Sequence, residues 1–260
     1  MMLCAKKKIL VVEDDAILSG FTAMMLGRLG YDVAGQVSTV TDAFRQITET
    51  VPDLVLMDIY LGTEFDGIDA ADYVYHFFYT PVVFLTGNTD FEVIERAKGA
   101  DPFGYVVKPF TKDGLYATIE VAFNAYCAAN PALQKGKEKF LSLLSGDEGY
   151  IIVDVRGRVI FMNRYAEHLT GREYGISFLK PLPGVLQMRD RQAGNRFSSL
   201  TYSQDITHTA MLNQTHLVAV QSSGGKSRNA KISVRMVKNR ESAVIGYVVR
   251  LEQVFGTVAV

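Results

Sequence analysis

Short apolar runs recur through the first half of the chain, separated by stretches with helical patterning. The runs Ile9–Val12, Asp32–Val37, Leu54–Asp58, Val82–Thr86 and Tyr105–Lys108 read as strands. Several are apolar without alternation, as expected of parallel strands covered on both faces. Between them the pattern predicts helices over Ala16–Leu29, Thr41–Thr50, Ile68–Phe78, Phe91–Lys98 and Lys112–Ala128, with Gly30 as a stop signal after the first. Five successive βα units predict an α/β domain with a doubly wound, five-stranded parallel sheet and right-handed crossovers.

The pattern changes after Ala128-Ala129-Asn130-Pro131 and the polar run Gln134–Lys139. Tyr150–Val155 and Val159–Asn163 flank Arg156-Gly157-Arg158, a hairpin signal. A helical stretch follows over Arg164–Leu169, then a loop-rich middle containing Pro181 and Pro183, then a helix around Asp205–Leu212. His216–Gln221, Arg228–Val237 and Val244–Leu251 read as three antiparallel strands. The second half is therefore expected to be an α+β domain on an antiparallel sheet. The boundaries are 6–127 for the first domain, 128–138 for a linker and 139–255 for the second domain.

Length and composition agree with two domains: 260 residues, 48% of them apolar. Two cysteines, Cys4 and Cys127, are too few for a disulfide framework, so a reducing compartment fits. The amino-terminal segment has no apolar run of signal-peptide length, and no stretch of 18 apolar residues occurs. A cytoplasmic location is the expectation, and Asn213-Gln214-Thr215 is then a chance match to a glycosylation acceptor. The near-neutral total conceals an asymmetry. Residues 1–126 carry nine Lys/Arg against 18 Asp/Glu, and residues 127–260 carry 18 against ten. Either the halves attract each other or meet different partners, or they are simply two solvated surfaces of different composition; screening at physiological salt favours the last.

Polar groups at the carboxyl ends of parallel strands carry the candidate chemistry. Those ends hold Glu13, Asp14 and Asp15 after strand one, Asp58 ending strand three, Thr86 ending strand four and Lys108 ending strand five. Carboxylates converging in one cleft repel unless a cation neutralises them, and a hard divalent ion such as Mg²⁺ suits oxygen ligands. One carboxylate can then act as a nucleophile toward a phosphoryl donor, while Lys108 and the Thr86 hydroxyl hold the transferred group's oxygens.

The segments Ile9–Asp15, Leu54–Asp58, Val82–Thr86 and Gly104–Phe110 together resemble the receiver domain of two-component response regulators. The resemblance implies a flavodoxin-like fold in which Asp58 accepts the phosphoryl group. Glu13 and Asp14 match the acidic pair, with Asp14 a direct ligand of Mg²⁺ or Mn²⁺, and the Tyr60 backbone carbonyl is a further ligand. Thr86 and Tyr105 match the switch pair, and Lys108 matches the phosphate-binding lysine. A cis Lys108–Pro109 bond is also implied. Two departures stand out: Gly87 follows the switch threonine where alanine is common, and the loop Leu61–Asp69 is longer and more acidic than usual. Asp15 is a spare carboxylate with a supporting role. A haloacid-dehalogenase-like phosphatase would want a second aspartate where Tyr60 stands.

In the second half, Gly149–Asp154, Gly157–Asn163, Ala166-Glu167, Leu169–Gly171, Gly224–Lys226 and Gly246–Leu251 resemble a PAS domain, a sensory fold with a five-stranded antiparallel sheet. No flavin is expected, since the domain lacks a cysteine. No haem is expected either: His168, His208 and His216 show no haem-pocket pattern and read as histidines satisfied by hydrogen bonds. Gly225-Lys226-Ser227 reads as a hairpin turn, because a phosphate loop would need glycine at Val220. No helix-turn-helix, kinase or cyclase domain is expected after residue 255. The resemblances imply a phosphorylated signal relay that is not an enzyme beyond its own phosphoryl transfer and autodephosphorylation. Its partners would be a sensor histidine kinase or phosphotransfer protein, a second copy of itself and a downstream protein target. A ligand-sensing PAS domain and a DNA-binding regulator are the alternatives.

Overall fold

The computed structural model describes residues 6–62, 65–87, 96, 102–129, 137, 141, 144, 146–190, 215–238 and 242–254. The chain divides into two compact units, Met1–Ser142 and Leu143–Val260.

The first unit is built on a parallel sheet of order β2-β1-β3-β4-β5, the doubly wound, flavodoxin-like arrangement expected. Its strands are β1 (Lys8–Val12), β2 (Asp32–Val37), β3 (Leu54–Asp58), β4 (Val82–Thr86) and β5 (Gly104–Val107). β3 and β4 are buried at every position. This is why they read as unbroken apolar runs: helices cover both faces of the sheet and leave no solvent side to specify polar residues. β2, at the sheet edge, carries no fully buried residue. The described helices are α1 (Ala16–Leu29), α2 (Val40–Thr50), α3 (Gly67–Phe78) and α4 (Lys112–Ala129). The helix expected over Phe91–Lys98 lies outside the described residues except for Arg96.

The helix ends follow local chemistry. Asp15 caps α1 by accepting from the Ile17 and Leu18 amides at 2.8 and 3.0 Å, and Gly30 closes it at φ 91°. Asp66 and Asp69 form a reciprocal capping box on α3. One core joins Ile9, Val11, Leu54, Leu56, Val83 and Leu85 of the sheet with Leu26 of α1 and Leu115, Ile119 and Phe123 of α4. α4 runs through Ala129. Beyond it Lys137, in a stretch read from composition as a polar linker, is buried within the same unit and donates to the Pro52 carbonyl.

The second unit holds an antiparallel sheet of order β7-β6-β11-β10-β9-β8. Its strands are β6 (Gly149–Asp154), β7 (Val159–Met162), β8 (Gln187–Asp190), β9 (Thr215–Gln221), β10 (Ser227–Lys238) and β11 (Val244–Gln253). The expected sheet of five strands thus gains a sixth. β8 is a short edge strand paired only to β9, and its sequence Gln-Met-Arg-Asp has none of the alternation that reveals a strand. The middle read as loop also contains single-turn helices α6 (Tyr174–Ser177) and α7 (Leu182–Val185), after α5 (Arg164–Thr170). Pro183 sits in the first turn of α7, where a missing amide hydrogen costs nothing. The helix expected around Asp205–Leu212 lies outside the described residues.

Two buried polar side chains organise the start of this unit. The Asp154 carboxylate accepts from the Arg156 and Arg158 amides and from Arg158 Nε at 2.9, 2.8 and 2.7 Å, which shapes the β6–β7 turn. Asn163 Oδ1 accepts from the Tyr150 and Ala166 amides, and its Nδ2 donates to the Leu144 and Glu148 carbonyls. The β9–β10 connection is a turn closed by Ser222 N–H to Lys226 O at 2.8 Å, as the hairpin reading of Gly225-Lys226-Ser227 requires. Among the described residues no helix is long and apolar enough to cross a membrane.

Candidate functional site

Parallel register brings the candidate residues to one edge of the first sheet. Val12 pairs with Met57, Asp58 with Leu85 and Thr86 with Val107. Glu13, Asp58, Thr86 and Lys108 therefore emerge together at the carboxyl end, beside the point where strand order reverses between β1 and β3. Backbone bonds hold the rim: Glu13 N–H donates to Val37 O at 3.0 Å, and Lys108 N–H to Thr86 O at 2.7 Å. The Lys108–Pro109 bond is cis, as the resemblance implied.

The Lys108 ammonium lies between two carboxylates, 2.6 Å from Glu13 Oε2 and 2.8 Å from Asp58 Oδ2. Asp58 Oδ1 accepts the Tyr60 amide at 3.2 Å, so both of its oxygens are engaged. Glu13 and Asp58 are 3% and 6% exposed, whereas Asp14 is open to solvent. Burial raises the Glu13 pKa, and the neighbouring Asp58 charge adds to that; the Lys108 hydrogen bond opposes both. For Lys108, burial works against the charged form, but the bonds to Asp58 and Glu13 prevail and its pKa is raised.

Glu13, Asp14 and Asp58 each offer a carboxylate oxygen, and those atoms lie within 4.8 Å of one another. Such an all-oxygen set, two members buried and one facing water, fits a hard divalent cation that keeps part of its hydration shell. Thr86 is buried at the end of β4. Tyr105 packs its ring against Phe84 at 5.8 Å between centroids, two positions before Val107 on β5.

Asp15 stands apart from this cluster. Its carboxylate is committed to the α1 cap, which is the physical content of the supporting role expected for it. Sequence reasoning passed over Gly67. A Cβ built on it would lie 1.9 Å from the Asp58 carbonyl oxygen and 2.9 Å from the carbonyl carbon. The dipeptide Asp66-Gly67 at a helix start was the available signal. In the second unit, His168 Nδ1 lies 3.2 Å from Arg228 Nη1, which also donates to the His168 carbonyl at 2.6 Å. His216 Nε2 is buried without a hydrogen-bond partner, contrary to the satisfied histidine expected there. His208 lies outside the described residues.

Comparison with known proteins agrees with this geometry. Residues 9–120 match the response regulator receiver domain family, and residues 144–202 match the PAS domain family. The transcriptional regulatory protein PdtaR of Mycobacterium tuberculosis is 33% identical over 120 residues, which are 46% of this chain and 58% of that protein. The DNA-binding response regulator MtrA of Mycobacterium leprae is 35% identical over 116 residues, 44% of this chain and 50% of that protein. The chain thus spans little more than half the length of these curated relatives. A solved signal receiver domain of a modulated diguanylate cyclase from Desulfovibrio desulfuricans is 33% identical, with a TM-score of 0.46; the match covers 48% of this chain and 98% of that one. Residues 9–120 of the chain therefore belong to the response regulator receiver domain family and residues 144–202 to the PAS domain family.

Proposed function

We propose that Asp58 is phosphorylated by a sensor histidine kinase or phosphotransfer protein, with Mg²⁺ or Mn²⁺ held by Glu13, Asp14, Asp58 and the Tyr60 carbonyl. The observation that carries this reading is the placement of the Lys108 ammonium 2.8 Å from Asp58 Oδ2, beside three carboxylates that share a cation-sized space. An Asp58 oxygen attacks the donor phosphorus, the bond to the donor's leaving group breaks, and an acyl phosphate forms. The cation supplies charge neutralisation for the incoming phosphoryl group. Lys108 orients the carboxylate and then pairs with phosphoryl oxygens, and the Thr86 hydroxyl accepts the role of a further contact to that group. Tyr105, on the strand next to Thr86, carries the response outward with it. Catalysis by the chain is confined to its own phosphoryl transfer and autodephosphorylation, and the phosphorylated receiver relays the signal through the PAS domain to a protein partner. Sensor kinases present their phosphoryl groups in the cytoplasm, which supports a cytoplasmic location. The test is incubation of the full chain with acetyl phosphate, with and without Mg²⁺. Label should require the ion and vanish in Asp58→Asn, whose amide forms no acyl phosphate; undiminished label in that variant would remove the assignment.

A further inference from the structure

Gly67 occupies the first position of α3, nine residues after the nucleophile, and among the described glycines it is the one whose added Cβ would come nearest another atom. The site a Cβ would take is filled by the Asp58 main chain: 1.9 Å to its carbonyl oxygen, 2.9 Å to its carbonyl carbon and 3.2 Å to Ile59 Cα. These are backbone atoms, so no side chain can swing away to make room. The Gly67 amide donates to Ile59 O at 2.9 Å, which ties the start of α3 to the residue after the nucleophile. Tyr60 follows Ile59, and its amide reaches Asp58 Oδ1 at 3.2 Å. The helix start is itself anchored on the other side. The Asp66 carboxylate caps Ile68 and Asp69 and pairs with Arg96 at 2.9 Å.

We propose that Gly67 is a positioning residue for phosphoryl transfer: its missing side chain lets α3 press on the Asp58 backbone, which sets the nucleophile against Lys108 and holds Tyr60 beside the carboxylates that would bind the cation. This rests on the phosphorylation of Asp58 proposed above. A methyl group at position 67 must drive α3 and the end of β3 apart by about 1.4 Å to reach an ordinary contact of about 3.3 Å. A displacement of that size at the nucleophile lowers the transfer rate by about 100-fold.

The experiment compares Gly67→Ala with the parent in the full chain, at low temperature and, where the variant is partly unfolded, with trimethylamine N-oxide added until its far-ultraviolet circular dichroism matches the parent. Two quantities are read per folded molecule: the initial rate of labelling by acetyl phosphate at saturating Mg²⁺, and Mn²⁺ affinity from the free-ion paramagnetic resonance signal. Gly20→Ala, where a Cβ meets nothing within 4 Å, is the control for the glycine substitution itself. Expected are a fall of tenfold or more in labelling rate and weaker Mn²⁺ binding in Gly67→Ala, with Gly20→Ala unchanged in both. A lone stability role would leave both quantities at parental values in the refolded variant, and that result overturns the proposal. A parent that takes no label at Asp58 refutes the phosphorylation reading instead, so the two failures are distinguishable.

Discussion

Replacing Asn163 by alanine should cost the second unit about 4 kcal/mol, more than its size suggests. The side chain is 5% exposed and uses its full hydrogen-bonding repertoire. Oδ1 accepts from the Tyr150 amide at 2.9 Å and the Ala166 amide at 3.0 Å; Nδ2 donates to the Leu144 and Glu148 carbonyls, both at 2.8 Å. The bond to Ala166 is the α5 cap, worth about 1 kcal/mol. Each of the other three leaves a buried or half-buried backbone group without that partner when it is removed, at about 1 kcal/mol apiece. With a urea slope of about 1.5 kcal/mol per molar, the midpoint of the PAS transition falls by about 2.7 M. Asn163→Asp preserves both acceptor bonds but turns a carboxylate toward two carbonyls, so it should fall between the parent and the alanine variant. Urea unfolding of the full chain, followed by circular dichroism, measures all three. An alanine variant within 1 kcal/mol of the parent, or an aspartate variant less stable than alanine, would refute the view that these four bonds hold the entry segment, β6 and α5 together.

Asp15→Ala should remove the α1 cap and cost about 1 kcal/mol while leaving Mg²⁺-dependent labelling of Asp58 intact; Asp14→Ala should do the reverse, losing ion dependence with little change in the thermal midpoint. In the second unit, Arg250 forms a forked pair with Glu148, which also accepts the Tyr150 hydroxyl at 2.8 Å. These bonds lower the Glu148 pKa, led by Arg250, and burial first and Glu148 second push Tyr150 up to about 12. A depressed carboxylate pKa stabilises the fold above its unfolded value of about 4.5 and ceases to do so as pH falls through the folded value. The stability difference between the parent and Glu148→Gln should therefore be present at pH 7 and shrink below about pH 4.5; a difference that stays constant to pH 3 would contradict the pairing. Gly20→Ala, in the interior of α1 with open space at Cβ, should stabilise the first unit by about 0.5–1 kcal/mol in thermal unfolding.

Local signals determined much of this protein. The runs Leu54–Asp58 and Val82–Thr86 are strands with the expected bounds, because a strand buried on both faces must be apolar at nearly every position. Ala16–Leu29 is likewise the helix read from its periodicity and its glycine stop. Glu13, Asp58, Thr86 and Lys108 were legible because each stands at or just past the end of a strand, so chain order alone implied that they meet. What they do on meeting was decided by tertiary structure. Three adjacent acidic residues, Glu13, Asp14 and Asp15, look alike in sequence, yet one is buried against Lys108, one faces solvent and one caps a helix. Their roles depend on the direction in which the chain leaves β1, which short-range pattern does not encode. Edge strand β8 escaped notice because its partner β9 lies more than 20 residues later and its sequence Gln-Met-Arg-Asp contains no apolar run. Gly67 escaped for the same reason: a glycine in a polar turn reads as freedom of the backbone, and only the packing of α3 on Asp58 reveals that it answers a shortage of space.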